Sequence, residues 1–231
     1  MCGVQDDRKF GKTLEYGKGS VKAWHAVDDF SVGGLPIKQQ QFLVAYHTAE
    51  FADDGRTVGI CGLGFNALSD FTLTFMDNLK EQGVIESREF SIYLSYRKTD
   101  GAQTSQLAIG GHNPDLKTED FTYAKVISSF YWSVRLDSIK MGSVGLDIYA
   151  DTQRDYSALI DSGTSWLYFE QTTIDLFLKV IKEEYGHECL MDADYGTYKC
   201  SPCSDLSTFP TLFFTISGRE FSLEPAEYMM E

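Results

Sequence analysis

The chain contains a succession of short segments that suit β-strands, and this pattern constrains its fold more than any other feature. The segments are rich in aromatic or β-branched residues and are bounded by turn residues such as Gly33-Gly34 and Gly110-Gly111. Residues of these types favour the pleated, half-buried surface of a sheet. The predicted strands are Val27–Val32, Phe42–Tyr46, Phe90–Leu94, Gln106–Ile109, Trp132–Leu136 and Leu212–Ile216. The sequence therefore predicts an all-β protein.

Two segments have helical spacing instead. The first is Phe71–Gln82, which Gly83 ends, and the second is Thr172–Tyr185, which Gly186 ends as a C-cap. We expect both to form short helices at the periphery of the β framework. The apolar residues predicted to share one face of the second helix are Ile174, Phe177, Leu178 and Ile181.

Acidic residues outnumber basic ones, and this balance excludes some partners. The 231 residues include 34 Asp and Glu against 20 Lys and Arg, a net charge of −14 at pH 7. Nucleic acids and anionic membranes attract basic surfaces, so neither is expected as a partner. No apolar run has the length of a membrane span, and the residues after Met1 are polar. We therefore expect neither a membrane anchor nor a signal peptide in this chain.

The five cysteines leave two interpretations open. Cys189, Cys200 and Cys203 lie close together in the sequence, and His187 adds a fourth group that zinc could bind. The alternative is a disulfide loop of the kind common in secreted proteins. A zinc ribbon normally has two closely paired sets of ligands, and the set around His187 is a poor second one, so no metal is predicted. Cys61 lies in an apolar run and is expected to be buried.

One short motif resembles a nucleotide site but lacks an essential residue. Gly11-Lys12-Thr13 matches the end of a phosphate-binding loop, while Asp6 occupies the position of its first glycine. A carboxylate at that position would repel phosphate. No nucleotide or other cofactor is predicted.

One aspartate lies in a pattern typical of a catalytic carboxylate. Asp161 follows the apolar run Ala158-Leu159-Ile160 and precedes Ser162, Gly163 and Thr164. Peptide hydrolysis by carboxylates needs an ionised group to activate water and a protonated group to polarise the peptide. The Asp-Ser-Gly pattern occurs once in this chain, so only one member of such a pair is present.

Several sequence blocks, in order, resemble the pepsin-like (family A1) aspartic peptidases. The resemblance covers about residues 14 to 231. The blocks are Tyr16–Ser20, Val32–Leu35, Gly59–Phe65, Asn78–Ile85, Phe90–Leu94, Ile109–Gly111, Tyr131–Val134, Leu136–Ile139 and Ala158–Ser165.

The resemblance implies a bilobal pepsin-like fold with a β-hairpin flap over a peptide-binding cleft. Residues 1–122 would form the first lobe without its opening strands, and residues 123–231 the second lobe without its closing strands. The chain is thus expected to be truncated at both ends, with the first catalytic aspartate lying before Tyr16. Asp161 would be the second catalytic aspartate, supported by Ser162, Gly163 and Thr164. The two hydroxyls would hold the loop or bond Asp161, and the glycine would let backbone N–H groups approach the carboxylate.

The resemblance also implies further roles and surroundings. Tyr16, Gly17 and Gly19 would form the substrate flap, and Cys189 with Cys200 could close a local disulfide loop. The substrate would be a polypeptide, the full-length enzyme a monomer, and its location secreted or endolysosomal.

Three alternatives to a working monomeric peptidase remain open. The first is an inactive fragment or pseudoenzyme of the same fold that at most binds peptides. The second is a homodimer in which each chain donates Asp161. The third is a zinc-stapled β domain of unrelated function. Asp54 and Asp194 imitate the aspartate motif, but neither follows an apolar strand, so both are rejected as partners of Asp161.

Overall fold

A computed structural model describes residues 11–16, 19–49, 58–95, 105–113, 121–146, 148, 156–193 and 196–229. The strands are β1 (Lys12–Glu15), β2 (Ser20–Val32), β3 (Leu35–Ala49), β4 (Phe90–Tyr93), β5 (Gln106–Ile109), β6 (Ser133–Arg135), β7 (Ser138–Met141), β8 (Val144–Leu146), β9 (Ser157–Leu159), β10 (Glu188–Asp192), β11 (Thr197–Ser201), β12 (Leu212–Ile216) and β13 (Arg219–Leu223). The helices are α1 (Phe75–Glu81), α2 (Gln171–Tyr185) and α3 (Pro225–Tyr228). The predicted β framework with short helices is confirmed.

The chain divides into two compact units, Met1–Glu119 and Asp120–Glu231. Each unit has a hydrophobic core of its own. The lobe limits predicted from the sequence, 1–122 and 123–231, remain predictions about domain organisation. None of the helices in the described part of the chain is long and apolar enough to cross a membrane.

The first unit is built around a long antiparallel hairpin. β2 pairs with β1 on one side and with β3 on the other. Gly33 and Gly34, both with positive φ, make the turn between β2 and β3. The sequence predicted only the shorter segments Val27–Val32 and Phe42–Tyr46. The observed strands are longer because backbone hydrogen bonds between β2 and β3 also keep polar residues of low strand propensity in extended conformation.

Helix α1 begins four residues later than predicted. Thr74 is its N-cap: the Asp77 N–H donates to Thr74 Oγ1 at 3.2 Å, and the Thr74 N–H donates to Asp77 Oδ2 at 3.3 Å. This reciprocal capping box fixes the helix start at Phe75, so the prediction of Phe71 was wrong. Helix α1 contributes two buried residues to the core of the first unit, which consists of Ile37, Met76, Leu79 and Ile85.

Polar side chains of α1 also bind a distorted part of β3. Gln39 has a positive φ of 54° in this region. Asn78 Nδ2 donates to Gln40 Oε1 at 3.1 Å. Gln82 Nε2 donates to the Lys38 carbonyl at 2.7 Å, and the Lys38 N–H donates to Gln82 Oε1 at 3.0 Å. Gln40 and Asn78 are buried, so the bond between them satisfies polar groups that have lost water, whereas the Gln82–Lys38 bonds lie at an exposed position.

The second unit packs helix α2 against a four-stranded sheet of order β13-β12-β7-β8. Gly186 ends α2 in the left-handed conformation with φ 75°, as predicted. Of the four residues predicted to share one face, Ile181 belongs to the core cluster and Phe177 packs against it, whereas Ile174 and Leu178 do neither. The α2 residues that reach the core are Leu176, Phe177, Val180 and Ile181. Helical spacing alone did not fix which apolar residues would meet the sheet.

A disulfide joins the hairpin β10–β11. Cys189 and Cys200 are directly opposed in this antiparallel pair and form the bond. The predicted disulfide is confirmed, and the zinc hypothesis was wrong because two of its four ligands are used here. His187 is buried, with its ring stacked on Phe209 and its Nε2 3.2 Å from the Thr208 carbonyl. The described residues hold no cluster of three or more His, Cys, Asp or Glu suited to a metal.

Two further cysteines are free thiols in the described part of the chain. Cys203 and Cys61 are both exposed. The expectation that Cys61 is buried was wrong. The apolar segment around it forms neither helix nor strand, and Val58 and Ile60 beside it are exposed as well.

Candidate active site

Asp161 lies just beyond the end of a short strand pair. Strand β9 pairs antiparallel with β6, with Leu159 opposite Ser133. The Ile160 N–H extends this ladder by donating to the Trp132 carbonyl at 2.9 Å. The next residue is Asp161, at which the chain leaves the sheet and turns. The apolar run before the aspartate therefore anchors it to β6.

The loop after β9 orients the Asp161 carboxylate. The Gly163 N–H donates to Oδ1 at 2.9 Å, and the Thr164 hydroxyl donates to Oδ2 at 2.5 Å. The Thr164 N–H also donates to the Asp161 carbonyl at 3.3 Å. Hydrogen bonds to an ionised carboxylate are short and strong, so both oxygens have a defined direction.

Position 163 is a glycine because the Asp161 carboxylate leaves little room for a side chain there. A Cβ built on Gly163 would lie 3.2 Å from Asp161 Oδ1, closer than such contacts usually are. A larger residue would push the carboxylate away from the N–H group that binds it. Ser162 is exposed, and its supporting role remains a prediction.

The Asp161 loop is open to solvent and has apolar neighbours. All four residues from Asp161 to Thr164 are exposed. Five large apolar side chains around them are also exposed, with Ile160 at 57% and Tyr168 at 76%. They are Leu159, Ile160, Trp166, Leu167 and Tyr168. The carboxylate is thus accessible to a ligand, and the surface near it is one on which apolar side chains could pack.

The predicted flap lies in the first unit as a hairpin between β1 and β2. Glu15 pairs with Ser20, and the Tyr16 N–H donates to the Gly19 carbonyl at 3.0 Å. Gly19 has a φ of 86°, which a side chain would disfavour. Gly17 lies outside the described residues, as do the two rejected acids, Asp54 and Asp194.

Sequence reasoning missed a serine in the loop that precedes β6. The Ser128 hydroxyl accepts hydrogen bonds from the N–H groups of Phe130 and Tyr131 at 3.1 and 3.2 Å. Serine is a frequent first residue of such turns, so the pair Ser128-Ser129 before two aromatic residues was a detectable signal. It was weak because many serines precede turns without making these bonds.

Comparison with known proteins identifies the family. The family model described as eukaryotic aspartyl protease matches residues 4–231, nearly the whole chain. The chain belongs to the eukaryotic aspartyl protease family. The resemblance and the fold predicted from the sequence are confirmed.

Individual members of the eukaryotic aspartyl protease family agree with this assignment. Aspartic protease 1 of Caenorhabditis elegans is 28% identical, over 99% of this chain and 54% of the relative. Cathepsin D of Dictyostelium discoideum is 30% identical, over 95% of this chain and 54% of the relative. The crystal structure of the aspartic proteinase from Irpex lacteus superimposes with a TM-score of 0.72 at 25% identity, covering 93% of this chain and 62% of that chain. The chain spans about half the length of these curated relatives.

Proposed function

We propose that this aspartyl protease family chain supplies one of the two carboxylates of an endopeptidase site, and that this carboxylate is Asp161. The observation that carries the proposal is the pair of hydrogen bonds that Gly163 and Thr164 donate to an exposed Asp161. The second carboxylate would come from outside this chain, because its Asp-Ser-Gly pattern occurs once.

The proposed chemistry divides the work between the two carboxylates. An ionised Asp161 would take a proton from water, and the resulting nucleophile would attack the peptide carbonyl. The second, protonated carboxyl would polarise that carbonyl and then protonate the departing nitrogen. The Gly163 N–H and the Thr164 hydroxyl would keep the Asp161 oxygens directed through both steps.

The proposed substrate is an extended polypeptide with apolar residues near the cleaved bond. The exposed apolar side chains beside Asp161, among them Ile160 and Trp166, favour such a substrate. Tyr16, Gly17 and Gly19 would act as the flap that closes on it, and the hairpin between β1 and β2 supports this role. We further propose that the whole enzyme is monomeric and works in a secreted or endolysosomal location, where a disulfide such as Cys189–Cys200 persists.

A second candidate function is peptide binding without catalysis. The single Asp-Ser-Gly pattern favours it, because one carboxylate cannot serve as base and acid at once. In that case the same apolar surface would bind peptides and leave them intact.

Cleavage of an unfolded protein at acid pH tests the proposal. The whole enzyme, which holds both carboxylates, its Asp161→Asn variant and an Asp175→Asn control are incubated with the substrate, and fragments are counted by mass spectrometry. Asp175 is an exposed residue of α2, and Asp175→Asn removes one negative charge, as Asp161→Asn does. The proposal expects cleavage by the whole enzyme and the control and at least about a hundredfold less by Asp161→Asn, roughly the scale of general acid–base catalysis. This chain alone, with one carboxylate of the pair, is expected to give background cleavage.

Equal background cleavage by all three proteins would reject catalysis by Asp161. Calorimetric titration with an apolar peptide then distinguishes the second candidate. Binding that survives Asp161→Asn without cleavage would favour the peptide-binding function.

A further inference from the structure

A narrow turn of the chain lies beside β6, the strand whose other neighbour, β9, leads to Asp161. Val126 pairs with Val134, and the Ile127 N–H donates to the Ser133 carbonyl at 2.9 Å. These contacts close a loop of residues 128–132 at one end of β6. Strand β6 therefore has this loop's first arm on one side and β9 on the other.

The Ser128 hydroxyl organises the inside of that loop. It accepts the N–H groups of Phe130 and Tyr131, at 3.1 and 3.2 Å. The Tyr131 carbonyl in turn accepts the Ser133 N–H at 2.7 Å, which completes the turn. Ser128 is partly buried, whereas its neighbour Ser129 is exposed. One side chain thus holds two consecutive backbone groups in a fixed arrangement.

The loop ends at the residue that anchors the chain before Asp161. The Trp132 carbonyl accepts the Ile160 N–H at 2.9 Å, as the last bond of the β6–β9 ladder. Asp161 follows immediately, and its carboxylate then meets Gly163 and Thr164. The direction of the Trp132 carbonyl therefore sets the point from which the Asp161 loop starts.

We propose that Ser128 is a positioning residue for Asp161 and that it acts through the Trp132 carbonyl. An effect of Ser128 on catalysis rests on the proposed function, whereas its effect on the position of the Asp161 loop does not. Loss of the hydroxyl would leave two N–H groups of the loop without their acceptor, and the loop would sample other arrangements. The Ile160 anchor would then open more often, and the Asp161 carboxylate would lose its fixed direction.

Nuclear magnetic resonance of the full chain tests the geometric step. Amide hydrogen exchange at Ile160 reports opening of the anchor. The Gly163 amide shift, followed against pH, reports Asp161 ionisation because this N–H donates to Oδ1. Ser128→Ala is expected to raise Ile160 exchange about tenfold, the scale of one lost hydrogen bond, and to change the Gly163 titration. Ser128→Thr, which keeps the hydroxyl, and Ser129→Ala are expected to match the unmodified chain.

An Ile160 exchange rate and a Gly163 titration that are equal in Ser128→Ala and Ser129→Ala would overturn the proposal. Circular dichroism checks that each variant folds. Should Ser128→Ala not fold, Ser128→Cys replaces it, because a thiol of similar shape is a weaker acceptor. A Ser128→Cys variant that matches the unmodified chain in both measurements would overturn the proposal in the same way.

Failure of the proposed function gives a different pattern from failure of this inference. An inactive whole enzyme, with Asp161→Asn equal to background, rejects catalysis while the resonance measurements still decide the role of Ser128. In an active enzyme, Ser128→Ala is expected to lower kcat about tenfold or more with little change in KM. An unchanged kcat in the active enzyme would overturn the positioning role.

Discussion

At the residue scale, the phenol of Tyr228 shows how the fold alters a single group. Its hydroxyl donates to the Pro210 carbonyl at 2.6 Å. Burial raises the pKa of Tyr228 well above its ordinary value, with smaller contributions in the same direction from Tyr185 and Glu224. Each of these causes disfavours the charged phenolate. The folded chain therefore keeps this proton to a higher pH than the unfolded chain does.

The raised pKa of Tyr228 predicts a loss of stability in alkali. Its contribution is fully present below the unfolded pKa of about 10 and is lost as the pH rises from there toward the folded pKa. Tyr228→Phe removes this dependence and also a hydrogen bond, so it should be about 1 kcal/mol less stable near neutral pH. We expect the difference between the two proteins to shrink as the pH rises above about 10.

Urea unfolding at several pH values measures that difference. Tyr123→Phe is the control, because it removes the same hydroxyl from a side chain that is 82% exposed. A gap between Tyr228→Phe and the unmodified chain that stays constant with pH would contradict the prediction.

Hydrogen bonds between residues that are close in the sequence could be predicted from the sequence. The hydrogen bonds expected of Gly163 and Thr164 span two or three residues, and the structure contains them. The proposed positioning role of Ser128 was not predicted from the sequence. That role depends on the hydrogen bond between Trp132 and Ile160, which lie 28 positions apart in the chain. Local patterns do not report which distant residue a turn will support.

At the element scale, the start of α1 is set by its cap and not by its apolar pattern. Thr74→Ala removes the side chain that accepts the Asp77 N–H, so the free energy of unfolding should fall by about 1 kcal/mol. Thr74→Ser keeps the hydroxyl and should recover most of this loss. Urea unfolding followed by the fluorescence of Trp24, in the same unit, measures both variants.

Thr72→Ala is the matched control for the capping prediction. Thr72 is exposed and lies before the observed helix, but inside the helix that the sequence predicted from Phe71. Alanine has the higher helix propensity, so a helix starting at Phe71 would gain stability from Thr72→Ala. We expect Thr72→Ala not to raise the free energy of unfolding. The capping role of Thr74 would be contradicted if Thr74→Ala lowered that free energy no more than Thr72→Ala does.

The sequence predicted which segments form strands and helices. It was less successful for the residues at which they begin and end and for the side of α2 that packs on the sheet. Strands β5 and β12 match the predicted segments, since both are short, apolar and bounded by turn residues. Strand β3 extends through polar residues that pairing with β2 stabilises, together with side-chain bonds from Asn78 and Gln82. The buried face of α2 depends on the sheet that it meets, which a helical period does not specify.

At the scale of the whole molecule, the disulfide links stability to the cellular compartment. The Cys189–Cys200 bond closes a loop between residues 11 positions apart. In the chain-entropy description such a crosslink contributes about 3 kcal/mol, mainly by restricting the unfolded chain. Disulfides persist in secretory and extracellular environments and are reduced in the cytosol, which agrees with the proposed location.

Removing this disulfide is expected to destabilise the second unit. The double variant Cys189→Ala/Cys200→Ala should lose about 3 kcal/mol in urea unfolding followed by Trp132 and Trp166 fluorescence. Cys61→Ala/Cys203→Ala, which removes the two exposed free thiols, is the control and should change stability little. Equal losses in the two double variants would show that the crosslink has no special contribution.

The apolar surface beside Asp161 also governs the colloidal behaviour of the chain. At neutral pH a net charge of −14 keeps copies apart by mutual repulsion. Acidification neutralises carboxylates and weakens that repulsion, whereas the exposed side chains of Ile160, Leu167 and Tyr168 carry no charge that acid could change. The acid conditions that suit a carboxylate peptidase are thus those in which this surface most readily drives precipitation, and a bound peptide would act as a solubiliser by covering it.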